Sequence, residues 1–476
     1  LWKNQSKQRV RAFASRLRNL LPRAPHAHIP DAPEGASARD RVVWDRLSDQ
    51  PHQHAGRFDK LRVRLADGAV HASSLLTVAA AVPRIWARYR KLQRQPSAKP
   101  IVMDGLGVGV RPWPEAPDAL LALLDELGAR HVLLRLHPWE DDHDAEAALA
   151  RALHGRGCDL TFALPQNREL VRDPERWRRA IEALGERFVP YGRRFQIGQA
   201  INRSKWGVWN AREYAALART AETALRRHGD VELLGPSVID FEYHVTAAVL
   251  NLPSAGFHLD AVSALLYVDR RGAPEGKQAG LDTVGKVRLL QAIAETARNA
   301  GGRCYVTEVN WPLREGPHSP AGRAVSVSEE EQADYLVRYY LLAMGTGALE
   351  AVYWWQLVAR GYGLVDPAGP APSDLRRRPS FHALKTLIAE LQGATLAAVL
   401  PVQAPGSLYL FRRSDGAEVA VGWSAGAEIQ GRLPRPAISV RTRDGATSNG
   451  PAGLEVTLTA SPRYFRLCPA PSASSI

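Results

Sequence analysis

The 476 residues allow two or three domains, and with 45% hydrophobic residues each can hold a sizeable core. The three cysteines, Cys158, Cys304 and Cys468, are too few and scattered for a disulfide framework or a metal-ligand spacing, so a reducing compartment is expected. The net charge of +13 belongs to the N-terminal segment. Residues 1–99 hold 20 Lys+Arg against 7 Asp+Glu and the rest 42 against 42, so nothing supports a nucleic-acid role for the whole chain.

Residues 1–97 read as a basic, mainly helical accessory region. Val10, Phe13, Leu17, Leu20 and Leu21 recur at helical spacing among Arg9, Arg11, Arg16 and Arg18, and residues 22–37 read as a linker. The apolar run Leu75–Trp86 precedes the basic cluster Arg88-Tyr89-Arg90-Lys91. No uninterrupted apolar run reaches the ~18 residues that span a bilayer. The expectation is therefore a helix docked on the main domain with a solvated basic end. A helix lying on an anionic membrane surface or a phosphorylated glycolipid has the same pattern. Leu1 in place of Met suggests a processed or trimmed product and leaves a removed signal peptide open. The expected location is the cytoplasm or the membrane periphery, with the periplasm still open.

From residue 98 to 392 short apolar runs alternate with helical stretches. The runs are Ile101–Met103, His131–Leu136, Leu160–Leu164, Phe195–Ile197, Val231–Leu234, Ala261–Tyr267, Cys304–Thr307 and Ala351–Trp355. Between them lie helical patterns such as Ala116–Leu127, Pro174–Leu184 and Ala211–Arg227. Eight strands alternating with helices predict an α/β chain whose main domain is a (β/α)8 TIM barrel. Gly105-Leu106-Gly107-Val108-Gly109 lacks the Gly-x-Gly-x-x-Gly spacing with its downstream acid, so no dinucleotide cofactor is expected. Residues 393–476 change texture. Ser407–Phe411, Glu418–Gly422, Ala437–Arg441 and Leu454–Thr459 are short strands with turn signals between them, the pattern of a small β-sandwich.

Barrel chemistry sits at the C-terminal ends of strands. The seventh run delivers Glu308 there, in Val306-Thr307-Glu308-Val309-Asn310-Trp311. Arg135 and His137 close the second run, Tyr267 the sixth, and Trp354 and Trp355 the eighth. Together these segments resemble the clan A glycoside hydrolases, most of all their family 39-like branch. That resemblance implies a (β/α)8 barrel followed by a β-sandwich, with Glu308 as the nucleophile. It further implies that Arg135, His137, Gln199, Asn202 and Tyr267 position an oligo- or polysaccharide, and that Trp311, Trp354 and Trp355 form its platform. The fourth strand departs from the family. Where the clan reads Ile-Gly-Asn-Glu, this chain reads Ile197-Gly198-Gln199-Ala200, and a methyl group transfers no proton.

Two readings follow. In one, Asp240 or Glu242, just after the fifth strand, donates the proton while Glu308 acts as nucleophile or charge stabiliser, with a bacterial cell-envelope or exported polysaccharide as substrate. Glu140 is the next candidate. In the other, the barrel is a catalytically inactive glycan-binding protein of a polysaccharide assembly system. The acidic run Glu140-Asp141-Asp142-His143-Asp144 precedes a helix and suits its N-terminal dipole better than a metal, so no metal site is expected.

Overall fold

The structure is a computed structural model that describes residues 42–45, 49–53, 55–94, 99–314, 325–451 and 453–469. The helical pattern at Val10–Leu21 and the linker at 22–37 lie outside the described residues.

Eight parallel strands close into a barrel: β3 (Leu106–Val110), β4 (His131–Arg135), β5 (Asp159–Leu164), β6 (Arg194–Ile197), β7 (Glu232–Ile239), β8 (Leu259–Leu265), β9 (Ala300–Val309) and β10 (Ala351–Trp354). The strands are buried almost throughout, because helices cover their outer face and their own side chains fill the inner one. The expected TIM-barrel class is the observed one. Seven of the eight runs fall on their strands.

The first run does not. Ile101–Met103 bridges the C-terminal sheet instead, with Val102 opposite Thr395 and the Met103 N–H on the Ala394 carbonyl. The true first strand is the glycine-rich segment after it. A Cβ on Gly107 would stand 2.6 Å from the Tyr353 ring, and one on Gly109 2.5 Å from the Trp355 ring. The glycines therefore make room for two large aromatic side chains, Tyr353 in the neighbouring strand β10 and Trp355 just after it. Turn-like composition here marks close approach rather than a loop.

After the helix Pro379–Leu391 the chain forms a six-stranded sheet and a separate two-stranded pair, Ile429–Arg432 with Glu455–Leu458. Leu408, Ala420 and Phe465 from the large sheet pack with Val456 and Leu458 from the small one, which makes a small sandwich. It is tied to the barrel by Glu275, which accepts from the Trp423 indole at 2.7 Å and pairs with Arg338.

The N-terminal region holds a hairpin, β1 (Val42–Asp45) and β2 (Gln50–Gln53), and two helices, α1 (Arg57–Ala66) and α2 (Gly68–Arg94). The apolar run of the sequence is the middle of α2, whose 27 residues are long and apolar enough to cross a membrane by length and composition. The helix buries one stripe, Ala81, Ile85 and Tyr89, at four-residue spacing. Arg84 donates to the Thr296 carbonyl and Arg88 pairs with Glu295, both on the helix Thr283–Thr296 outside the barrel.

Arg378 shows how the loops at the barrel mouth are held. Its buried guanidinium pairs with Glu329 and Asp366 and donates to the carbonyls of Ala359, Arg360 and Gly363. Arg378→Ala leaves those acceptors and carboxylates without their cation, so unfolding free energy should fall by about 3–5 kcal/mol. Urea denaturation monitored by tryptophan fluorescence measures it.

Candidate functional site

Glu308 stands one residue before the end of β9, inside the C-terminal mouth of the barrel, and is buried. Its Oε2 accepts from the Arg135 guanidinium and from the Gln199 amide, each at 2.7 Å, and its Oε1 accepts from the Tyr267 hydroxyl. Burial and the adjacent Glu308 carboxylate push the Tyr267 phenol well above its ordinary value, so it stays a proton-bearing donor. Gln199 is itself oriented: its carbonyl oxygen accepts from Gln196, and its backbone N–H donates to Gln166. The structure thus brings Arg135, Gln199, Tyr267 and Glu308 together in one cluster.

Arg135 does more than face Glu308. Its second terminal nitrogen donates to Asp49 Oδ2 at 2.8 Å and to the Asp49 carbonyl at 3.1 Å, and its guanidinium lies 3.8 Å from the centre of the Trp355 ring. One cation thus bridges two carboxylates while stacked on an indole. Asp49 belongs to the β1–β2 turn, is buried, and also has His137 Nε2 at 3.1 Å and Arg111 at 3.9 Å. Burial alone would raise the Asp49 pKa, but Arg135, His137 and Arg111 prevail and hold it far below the ordinary carboxylate range.

The remaining candidates divide. His137 is at the site, against Asp49. Trp355 is too, though Arg135 covers one face of its ring. Trp311 and Trp354 are not platforms. Both are fully buried and stack on each other at 5.8 Å, and the Trp311 indole donates to the Gly272 carbonyl. The pleat explains the difference: adjacent strand residues point to opposite faces, so Trp355 turns into the barrel and Trp354 into the helical layer. Asn202 also departs from its expected role. Its amide donates to the Ile239 carbonyl and to Glu242, tying the loop after β6 to the end of β7.

Asp240 and Glu242 are both held by Arg203, Asp240 at 2.6 Å and Glu242 at 2.5 Å, in a groove beside the Glu308 cavity. Burial alone would raise the Glu242 pKa, yet hydrogen bonds from Asn202 and Arg203 leave it below its ordinary value. That is the wrong direction for a proton donor. Among the described residues that line the Glu308 cavity, the acidic ones are Glu308 and Asp49. Ala200, with a φ of 44°, is buried in an apolar cluster with Trp206, Leu265 and Tyr267. The acidic run before the helix Asp144–Gly155 behaves as a helix start, with Asp142 accepting from the Asp144 N–H.

Sequence reasoning missed Asp49, Trp44 and Lys205. Lys205 lines the cavity, and burial brings its ammonium down to about 8. Trp44 packs on Trp139, His137 and Trp206 at 4.9, 5.1 and 5.8 Å. Asp49 reaches its partner across 86 positions of chain, and no local pattern signals such a contact.

No protein-family model matches the chain, and no curated protein matches it. Solved structures do match in fold. A GH30 endoxylanase from Clostridium papyrosolvens aligns over 77% of this chain and 97% of its own, with TM-score 0.53 and 12% identity. A GH51 arabinofuranosidase from Xanthomonas axonopodis pv. citri aligns over 79% and 98%, with TM-score 0.52 and 12% identity. SrfJ from Salmonella typhimurium aligns over 78% and 91%, with TM-score 0.52 and 12% identity. The fold is that of the TIM-barrel glycoside hydrolases.

The depressed Asp49 pKa sets the sign of a pH effect. Its charge contributes stability above its unfolded value, and that contribution is lost as pH falls toward the lower folded value. Asp49→Asn has no such contribution to lose. Below about pH 4 the urea midpoint of the wild type should therefore drop more steeply than that of Asp49→Asn.

Proposed function

We propose that this chain is a carbohydrate-active barrel, family 39-like, in which Glu308 faces the anomeric carbon of a bound saccharide from a bacterial cell envelope or exported polysaccharide. The observation that carries the reading is the Glu308 carboxylate itself, fixed by Arg135, Gln199 and Tyr267 at the C-terminal mouth of the barrel. Three donors on one carboxylate set its direction, as a nucleophile or a stabiliser of an oxocarbenium-like transition state needs.

In hydrolysis a Glu308 oxygen bonds to the anomeric carbon as the glycosidic bond breaks, and the departing oxygen takes the electron pair and a proton. Water then cleaves the glycosyl–enzyme ester and returns the carboxylate. Proton donation falls to Asp240 or Glu242 only if Arg203 releases it. That constraint favours a second reading, a glycan-binding protein of a polysaccharide assembly system that uses the same cleft without turnover.

Glu308→Gln separates the two. If the barrel is a hydrolase, the variant keeps its circular dichroism spectrum and its glycan binding but releases no reducing ends from any envelope polysaccharide that the wild type cleaves. If the wild type binds such a glycan and releases none either, the binding reading stands.

The N-terminal region supports a location at the membrane periphery. Phe58, Leu61, Leu65, Leu75, Leu76, Val82 and Trp86 are large apolar side chains left exposed, Phe58 by 89% and Leu76 by 72%. Arg57, Lys60, Arg62 and Arg64 lie among them on α1, and Arg90, Lys91 and Arg94 follow on α2. Apolar side chains with basic neighbours suit a bilayer bearing anionic headgroups, whether lipid or phosphorylated glycolipid. Leu75→Glu with Leu76→Glu should abolish co-sedimentation with anionic vesicles. In the wild type, raising salt from about 0.1 M to 1 M should weaken it.

A further inference from the structure

The paired strands Val42–Asp45 and Gln50–Gln53 belong to neither the barrel nor its loops, yet Trp44, Asp49 and Gln50 reach the barrel mouth. Their turn lowers the Asp49 carboxylate among Arg135, His137 and Arg111, and Gln50 beside it accepts from Lys205. The first strand lays Trp44 on His137, Trp139 and Trp206, aromatic surface that would otherwise face the cleft.

The consequence for volume is direct. The cavity at Glu308 holds about 170 Å³, below the roughly 300–1,000 Å³ of ligand sites. A groove of about 640 Å³ adjoins it, running past Arg111, Pro114, His137, Trp139 and Glu146. Asp49 and Arg135 line both spaces, so the Asp49 turn is part of the wall between them. With the hairpin withdrawn, the two become one cleft with Glu308 at its inner end.

Withdrawal would also uncover a cationic cradle. Arg135 and His137 are buried and fixed by the barrel, and Arg111 follows β3. Arg135 Nε is buried with no hydrogen-bond partner, and His137 Nε2 faces Asp49 Oδ1 at 3.1 Å. Two basic side chains and an imidazole converging beside a sugar-facing carboxylate would be costly if left empty. A carboxylate already satisfies them, in the person of Asp49.

We propose that the hairpin is a strap occupying the saccharide cleft, and that Asp49 stands in for the carboxylate of an acidic sugar, so that the ligand is a uronic-acid-containing glycan. The proposal rests on the reading of the cleft as a saccharide site and adds its substrate class. When the uronate enters, its carboxylate replaces that of Asp49 on Arg135, His137 and Arg111, and Trp44 gives up its aromatic contacts. Affinity for a free glycan is then reduced by the fraction of molecules with the strap in place.

The test is calorimetric titration of the full chain with tetragalacturonate, cellotetraose and a sulfated tetrasaccharide. The proteins are the wild type, Asp49→Asn, and Trp44→Ala combined with Asp49→Ala. Both variants should bind the uronate at least about tenfold more tightly than the wild type, with no comparable gain for the neutral or sulfated ligand. Arg111→Gln added to Asp49→Asn should return the uronate affinity toward the wild-type value. Should the double variant fail to fold, Asp49→Asn, which preserves side-chain volume, decides alone. Equal gain for the neutral or sulfated ligand overturns the carboxylate assignment, and no gain for any ligand overturns the strap. If neutral glycans bind or are cleaved without any uronate preference, only this inference fails. If no glycan binds any folded form, the saccharide reading fails with it.

Discussion

The site is organised around a single guanidinium. Arg135 spans Asp49 and Glu308, each a buried carboxylate, and rests on the Trp355 ring. Two anions this close are tolerable in a low-dielectric interior only with a cation fixed between them. The fork geometry of arginine allows one bond to each carboxylate at once, and lysine, a point charge, offers no such bridge. Fixing that cation in turn requires β4 to end at its position and the residue after β10 to place an indole beneath it. The glycines of β3 make this possible, since the Trp355 ring occupies the space where a Cβ of Gly109 would stand.

The barrel and its N-terminal region are not independent. The hairpin supplies Asp49 to the mouth, and α2 docks on the outer helices through Ala81, Ile85 and Tyr89. The same region carries the excess positive charge and most of the large exposed apolar side chains. One segment therefore brings a carboxylate to the barrel mouth and leaves apolar and basic side chains exposed.

Ala200 gives the neighbourhood of Glu308 an apolar side. Ala200 joins Trp206, Leu265 and Tyr267 in an apolar patch, with Trp44 packed against it. Asp240 and Glu242, in the adjoining groove, are committed to Arg203. Among the described residues lining the Glu308 cavity, Asp49 is the one acid that accompanies Glu308.

Local pattern determined the barrel. Seven strand runs and the alternating helices were readable because buried parallel strands are short and apolar while barrel helices carry a 3.6-residue stripe. Glu308, Arg135, Gln199 and Tyr267 were readable for a related reason: each sits at a strand tip, and topology sends all the tips to one end. The tertiary structure alone decided the rest. Leu106–Val110 is a strand because rings from β10 fill the space its glycines leave, and Trp354 is core because the pleat turns it outward. Asp49 enters the site because an N-terminal hairpin folds over the mouth. Each of these depends on contacts between residues far apart in the chain, and such contacts leave no periodic trace in the sequence.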